Sequence, residues 1–120
     1  MSIRSPLIAL GALNAAIAIA AGAFGAHALR ARLEPRALEV FETGARYHMY
    51  HALALVLCGV IATRGATTAG WILQAGIVVF SGSLYALALT GVKGLGAITP
   101  IGGLAFLVGW LWLAWSALRG

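Results

Sequence analysis

Three histidines, His27, His48 and His51, are the residues of this sequence best suited to chemistry. His48 and His51 are three positions apart, which places both on one face of a helix. Imidazole binds transition metals and transfers protons near neutral pH, so a metal site, a haem site or a proton relay is one interpretation. The His-x-x-His spacing is weakly specific, since it lacks the cysteines of a zinc site and the glutamate of a helical metalloprotease. The alternative is that interfacial histidines bond to loop carbonyls or lipid head groups.

Other polar side chains widen the candidate site. An uncharged polar group within an apolar segment holds helices together more often than it moves a substrate, although either role is open. The candidate polar site consists of His27, Tyr47, His51, Glu39, Glu42, Arg46, Asn14, Gln74 and Ser81.

Motifs of the common enzyme classes are missing from the sequence. It contains no Walker loop, no dinucleotide fingerprint and no Gly-x-Ser-x-Gly elbow. It has no aspartate, and all three glutamates lie in the segment 34–42, so an acidic ion pathway through the molecule is not expected. We therefore predict no catalytic residues and no enzymatic activity.

The composition indicates a membrane protein. Of the 120 residues, 62% are hydrophobic and 9% are charged, whereas a soluble domain has about 25% charged residues. Lipid is the natural solvent for this apolar surplus. The formal net charge is +5, but the eight lysines and arginines are scattered rather than gathered on one face. No nucleic-acid partner is therefore expected, and the lipid bilayer is the expected partner.

Four apolar runs of the sequence are expected to form the helices that position these residues. Each run has about the 17–25 residues that a helix needs to cross a bilayer. The first resembles a signal peptide but is longer than a signal-peptide core and contains glycines, so we predict a retained helix. The fold class predicted is all-α, an integral membrane four-helix bundle forming a single domain over residues 1–120. The predicted spans are residues 6–26, 47–63, 70–91 and 99–118.

The segment 35–45 is predicted to form a separate amphipathic helix in the membrane interface. Pro35 can open a helix, and Arg36, Glu39, Glu42 and Arg46 recur at spacings of three and four, which aligns them on one face. A bend near Gly44 would separate this helix from the second span.

An even number of spans puts both termini on one side. Arg4, Arg64 and Arg119 then lie on the terminal side, against five basic residues on the other: Arg30, Arg32, Arg36, Arg46 and Lys93. Cytoplasmic loops carry the excess of lysine and arginine. We therefore expect a bacterial inner-membrane location with the amphipathic loop in the cytoplasm and both termini outside.

Small residues are expected to let the helices approach closely, either within one chain or between copies. In the first run Asn14, Ala18, Gly22 and Ala26 form a stripe at four-residue spacing. Gly82 in the third run, and Gly102 and Gly103 in the fourth, are expected to play the same part.

Four segments taken together resemble the YgdD-like family of small four-span membrane proteins, which includes vertebrate transmembrane protein 256. They are Gly22–Leu29 (GAFGAHAL), Thr43–His51 (TGARYHMYH), Phe80–Tyr85 (FSGSLY) and Thr99–Gly103 (TPIGG).

The resemblance implies a membrane location, bacterial inner membrane or mitochondrial, and no activity, because that family is a domain of unknown function. It places Gly25, His27, Gly44, Tyr47, His51, Ser81, Tyr85 and Pro100 on recurring motif positions. His48 falls on a position that varies in the family, so the resemblance shifts the metal or haem hypothesis to His27 and His51.

Three functions remain open at this point. The preferred one is a non-enzymatic membrane protein that forms a small homo-oligomer or is an accessory subunit of a larger membrane assembly. The second is an oligomeric channel or transporter for a small solute, lined by Asn14, Gln74 and Ser81. The third is metal or haem binding by His27 and His51; no cofactor is predicted otherwise.

Overall fold

The structure, a computed structural model, describes residues 5–119. Its regular elements are all helical, as predicted, and it has four long helices. These are α1 (Pro6–Leu29), α2 (Pro35–Ile61), α3 (Arg64–Thr90) and α4 (Thr99–Arg119), the last preceded by a 3-10 turn at Lys93–Ala97.

Local sequence signals explain where the helices begin and end. Ser5 caps α1 by accepting a hydrogen bond from the Ile8 amide at 3.2 Å, and Thr63 caps α3 through the Ala66 amide at 3.1 Å. Pro35 opens α2 at a position where its missing N–H is not needed. Gly91 ends α3 in the left-handed region, with φ 71°, which glycine adopts without strain.

Consecutive helices are antiparallel neighbours. Along the α1–α2 interface, Gly59 faces Ser5 and Ile8 at one end, and Phe41 faces Gly25 at the other. Between α3 and α4, Gly65 lies against Ser116 and Phe80 against Gly102. The ends of α1 and α4 that are nearest the chain termini therefore lie at the same end of the bundle.

Three of the four helices are long and apolar enough to cross a membrane: Pro6–Leu29, Arg64–Thr90 and Lys93–Arg119. They contain the first, third and fourth predicted spans. Helix α2 does not meet the same criterion, because polar and charged side chains interrupt its apolar residues. Four spans are therefore not confirmed by hydropathy.

The separate interfacial helix is not confirmed either. Residues 35–45 and most of the predicted second span belong to one helix, Pro35–Ile61, which continues through Gly44. Gly44 has a packing role in place of the expected bend. A Cβ atom there would lie 3.1 Å from the Tyr85 ring and 3.2 Å from the Leu84 Cβ, so a small residue lets α2 approach α3 closely.

A π-helical segment changes the predicted stripe on α1. Asn14, Ala18 and Ala26 are buried, but Gly22 is exposed. The π-helical turns at Ala20–Gly25 are wider than α-helical turns, and they rotate the positions beyond Ala18 relative to a regular four-residue spacing. A second π-helical segment, Ile77–Ser81, interrupts α3.

The predicted glycines differ in their contacts. A Cβ atom on Gly102 would overlap the backbone of Phe80, and one on Gly25 would lie 3.2 Å from the Phe41 ring. Gly22 and Gly103 have ordinary van der Waals neighbours, and Gly82 has nothing within 4 Å, so Gly82 is not a packing residue within the chain. Gly59 and Gly70, which were not predicted, are in tight contact with α1.

Candidate functional site

A continuous chain of hydrogen bonds joins four polar side chains from three helices. Asn14 of α1 donates through Nδ2 to the Gln74 Oε1 of α3 at 2.9 Å, and to the Leu10 carbonyl at 2.9 Å. The Asn14 Oδ1 is 2.8 Å from the His48 Nε2 of α2. The His48 Nδ1 is in turn 2.9 Å from the Tyr85 hydroxyl of α3. We call Asn14, His48, Gln74 and Tyr85 the polar network.

The donors and acceptors of this network assign the His48 tautomer. The Asn14 carbonyl oxygen has no hydrogen, so the His48 Nε2 must carry the proton and donate to it. A neutral imidazole then has an acceptor at Nδ1, to which the Tyr85 O–H donates. Asn14, His48 and Tyr85 are thereby joined with His48 uncharged, which suits a site removed from water.

His51 forms a second polar contact, between α2 and α4. The Trp110 Nε1 lies 3.1 Å from the His51 Nε2, and the His51 Nδ1 lies 2.7 Å from the Tyr47 carbonyl. An indole N–H only donates and a carbonyl only accepts, so both ring nitrogens are committed in a neutral imidazole. The ring also stacks on Phe106, with centroids 3.5 Å apart and planes 6° from parallel.

Trp110→Phe should cost about 1 kcal/mol of unfolding free energy, because it leaves the His51 Nε2 without its donor at a buried position. Trp112→Phe is the matched control, since Trp110 and Trp112 are each 40% exposed and lie on the same helix. Equilibrium unfolding in mixed detergent micelles measures both. Equal losses in the two variants would refute a role for the Trp110–His51 bond.

The structure does not unite the predicted metal pair. His27 is exposed at the end of α1, whereas His51 is buried and has both nitrogens bonded. Within residues 5–119, no three or more His, Cys, Asp or Glu side chains are grouped so that they could hold a metal ion. These residues do not fit a resident metal or haem, because neither His51 nitrogen is free to coordinate one.

Ser81 and Tyr47, two other candidates, are placed differently. The Ser81 hydroxyl is fully buried and donates to the Gly44 carbonyl at 2.8 Å, which links α3 to α2. The Tyr47 ring is 38% exposed and packs 5.0 Å from the ring of Phe80. In the described part of the chain, no buried side-chain nitrogen or oxygen lacks a hydrogen-bond partner.

The charged candidates lie outside the polar network. Glu39 forms an exposed ion pair with Arg36 at 3.6 Å. Glu42 and Arg46 line a groove of 380 Å³ between α1 and α2. A larger cavity of 590 Å³ lies near the chain termini, between α4 and the α2–α3 turn. Neither cavity is lined by a member of the polar network.

Sequence reasoning missed part of this arrangement. It placed His48 and His51 on one face, but these residues bond to different helices. Tyr85 was noticed only as a motif position, and Trp110 was not singled out. The available signal for Tyr85 was a phenol within an apolar run, because a buried tyrosine hydroxyl usually has a hydrogen-bond partner.

The comparisons with known proteins agree on one family of membrane proteins. Residues 21–103 match the family described as Protein of unknown function (DUF423). The UPF0382 membrane protein YwdK of Bacillus subtilis is 48% identical over 117 residues, covering 93% of this chain and 95% of that protein. The UPF0382 membrane protein SAB0533 of Staphylococcus aureus is 52% identical over 111 residues, covering 88% and 89%.

A further relative, the UPF0382 membrane protein SSP2132 of Staphylococcus saprophyticus, is 53% identical over 111 residues, covering 88% of this chain and 91% of that protein. No solved structure matches the chain. The resemblance to the YgdD-like family fits these findings, although the relatives named here carry the name UPF0382.

Proposed function

This chain belongs to the DUF423 family of membrane proteins of unknown function, and we propose that it is a non-enzymatic, four-span protein of the bacterial inner membrane. Its role is that of a subunit in a membrane assembly, either a small homo-oligomer or a complex with other membrane proteins.

The observation that carries this proposal is the complete use of the buried polar side chains. The polar network, the His51–Trp110 bond and the Ser81–Gly44 bond all join one helix to another. In a membrane such bonds stabilise helix packing by about 0.6 kcal/mol each on average. Neither His48 nor His51 retains a free ring nitrogen for a substrate, which favours a structural role for the bundle interior.

Packing supports α2 as the fourth span. Phe41 and Gly59, which contact opposite ends of α1, are 18 positions apart, a length of about 27 Å along a helix. That length is close to the roughly 30 Å of hydrocarbon that α1 crosses. A helix packed antiparallel along a membrane span over this length crosses with it. Two of the polar side chains that lower the hydropathy of α2, His48 and His51, are buried against the neighbouring helices.

We propose the orientation expected from the basic residues, with the termini outside and the Arg30–Arg36 segment in the cytoplasm. Arg46 lies within α2 rather than in a loop, so it contributes less to that bias than a loop arginine. Arg4 lies outside the described residues.

The channel hypothesis has less support. Asn14 and Ser81 are 6% and 0% exposed, and Gln74 accepts a hydrogen bond from Asn14. Side chains that line a polar path face water, whereas these face other helices. A path would have to run between copies of the chain along other residues.

Extraction of the protein from its own membrane tests the proposed role. The chain should leave the bilayer, in polymer-bounded lipid discs, as a particle larger than one protomer. Native mass spectrometry of the discs gives the mass and composition. A strictly monomeric protein that co-purifies with no other protein would contradict the proposal.

A further inference from the structure

Two opposite charges lie at a groove between α1 and α2. Glu42 and Arg46 are one helical turn apart on α2, and they line the groove of 380 Å³ with Gly22 and Ala23 of α1. Glu42 is half-buried and Arg46 is exposed. The side of α1 opposite them offers only apolar and small residues, namely Ala18, Ile19, Gly22 and Ala23.

The contacts of α2 with α1 indicate how deep these two charges lie in the membrane. Ala45, adjacent to Arg46, contacts Gly22, and Phe41, adjacent to Glu42, contacts Gly25. Gly22 is seven residues before the end of the apolar helix Pro6–Leu29, which is about 10 Å along the helix axis. Arg46 therefore lies beside the interior of an apolar span, where an ionised side chain is costly unless it is paired.

The chain itself does not pair them. Among the residues from 5 to 119, the ion pair within 4.0 Å is that of Arg36 with Glu39, and Glu42 and Arg46 take part in none. The groove beside them has a volume of 380 Å³. A Cβ atom added at Gly22 would have only the Ala45 Cβ within 4 Å, at 3.5 Å, so the α1 side of the groove is open to side chains from another helix.

We propose that the groove is the interface with a second copy of this chain, in which Glu42 pairs with Arg46 of the partner subunit. A twofold axis makes each contact occur twice, so one acid and one base on the same face are self-complementary. Two reciprocal ion pairs then neutralise all four charges in a low-dielectric environment, and the small residues of α1 allow close approach. This inference rests on the proposed assembly role and names its partner.

Charge reversal tests the pairing. Glu42→Arg and Arg46→Glu each place like charges opposite each other in a homodimer. Each should weaken dimerisation at least about tenfold, which corresponds to about 1.4 kcal/mol, since close interfacial charge pairs couple by at least that much. The measurement is the dimer fraction in lipid discs, from Förster transfer between differently labelled copies across a range of protein-to-lipid ratios.

Mixing the two single variants gives the decisive experiment. In the mixed pair, both arginines of Glu42→Arg face both glutamates of Arg46→Glu, so the heterodimer should form more strongly than either homodimer. An intrachain Glu42–Arg46 interaction cannot be rescued by mixing. Arg36→Glu, in the exposed ion pair, is the matched control and should leave the dimer fraction unchanged.

The outcomes separate this inference from the proposed role. Loss in both single variants with recovery in the mixture supports the groove interface. Unchanged dimerisation in the single variants, or loss without recovery on mixing, overturns it while leaving an assembly role intact. A wild-type chain that binds only other proteins also overturns the groove interface alone. A wild-type chain that is monomeric and partnerless overturns both proposals.

Discussion

Gly102→Ala is expected to lower the free energy of unfolding by about 2 kcal/mol or more, among the largest effects of any single methyl group in this chain. A Cβ at this position would overlap the backbone nitrogen and Cα of Phe80. Backbone atoms cannot move aside by changing rotamer, so α4 would have to separate from α3. Phe80 also lies in the π-helical segment Ile77–Ser81, and that separation would loosen the Ser83–Thr99 hydroxyl contact of 2.6 Å nearby.

The neighbouring glycine is the control. A Cβ on Gly103 would lie 3.8 Å from the Phe80 ring, an ordinary contact, so Gly103→Ala should be neutral or slightly stabilising. Equilibrium unfolding of both variants in mixed detergent micelles, followed by circular dichroism, gives the two free energies. Equal stability of Gly102→Ala and Gly103→Ala would show that the α3–α4 contact is not as close as described.

His48→Ala should destabilise the protein by about 3 kcal/mol, because it combines a cavity with the loss of two hydrogen bonds. The substitution leaves the Tyr85 hydroxyl and the Asn14 Oδ1 without their shared partner, in a site where His48 itself is only 4% exposed. In lipid, water does not replace the lost partner.

His27→Ala is the control for this variant, since His27 is exposed. It should change the unfolding free energy by no more than about 0.5 kcal/mol. The same unfolding experiment compares the two histidines directly. A larger loss for His27→Ala than for His48→Ala would contradict the role given to the polar network.

Helix positions were largely predictable from the sequence. Pro6, Pro35 and Pro100 lie at or near helix starts, and Gly91 ends a helix in the left-handed region, as local rules suggest. The continuity of α2 was not predictable in the same way. Its polar face at residues 36–46 is typical of an interfacial helix, and only contacts of Phe41 and Gly44 with other helices show that this part is packed in the bundle.

The candidate site was likewise only partly predictable from the sequence. Spacing predicted that His48 and His51 share a face, and uncharged polar residues of the apolar runs, such as Asn14 and Ser81, were expected to hold helices together. The partners of these side chains were not predictable, because His48 and Tyr85 are 37 positions apart and His51 and Trp110 are 59 apart. The π-helical segments also escaped prediction, since no local rule locates the extra residue that turned Gly22 outward.

In the proposed topology α2 crosses the membrane with His48 and His51 buried against its neighbours, and the location of the two termini tests this crossing. Epitope tags at the N- and C-termini are exposed to protease in right-side-out and in inverted membrane vesicles. Four spans predict that both tags are cleaved in the same vesicle preparation, the right-side-out one under the proposed orientation. Cleavage of the two tags in opposite preparations would leave three spans and contradict the account.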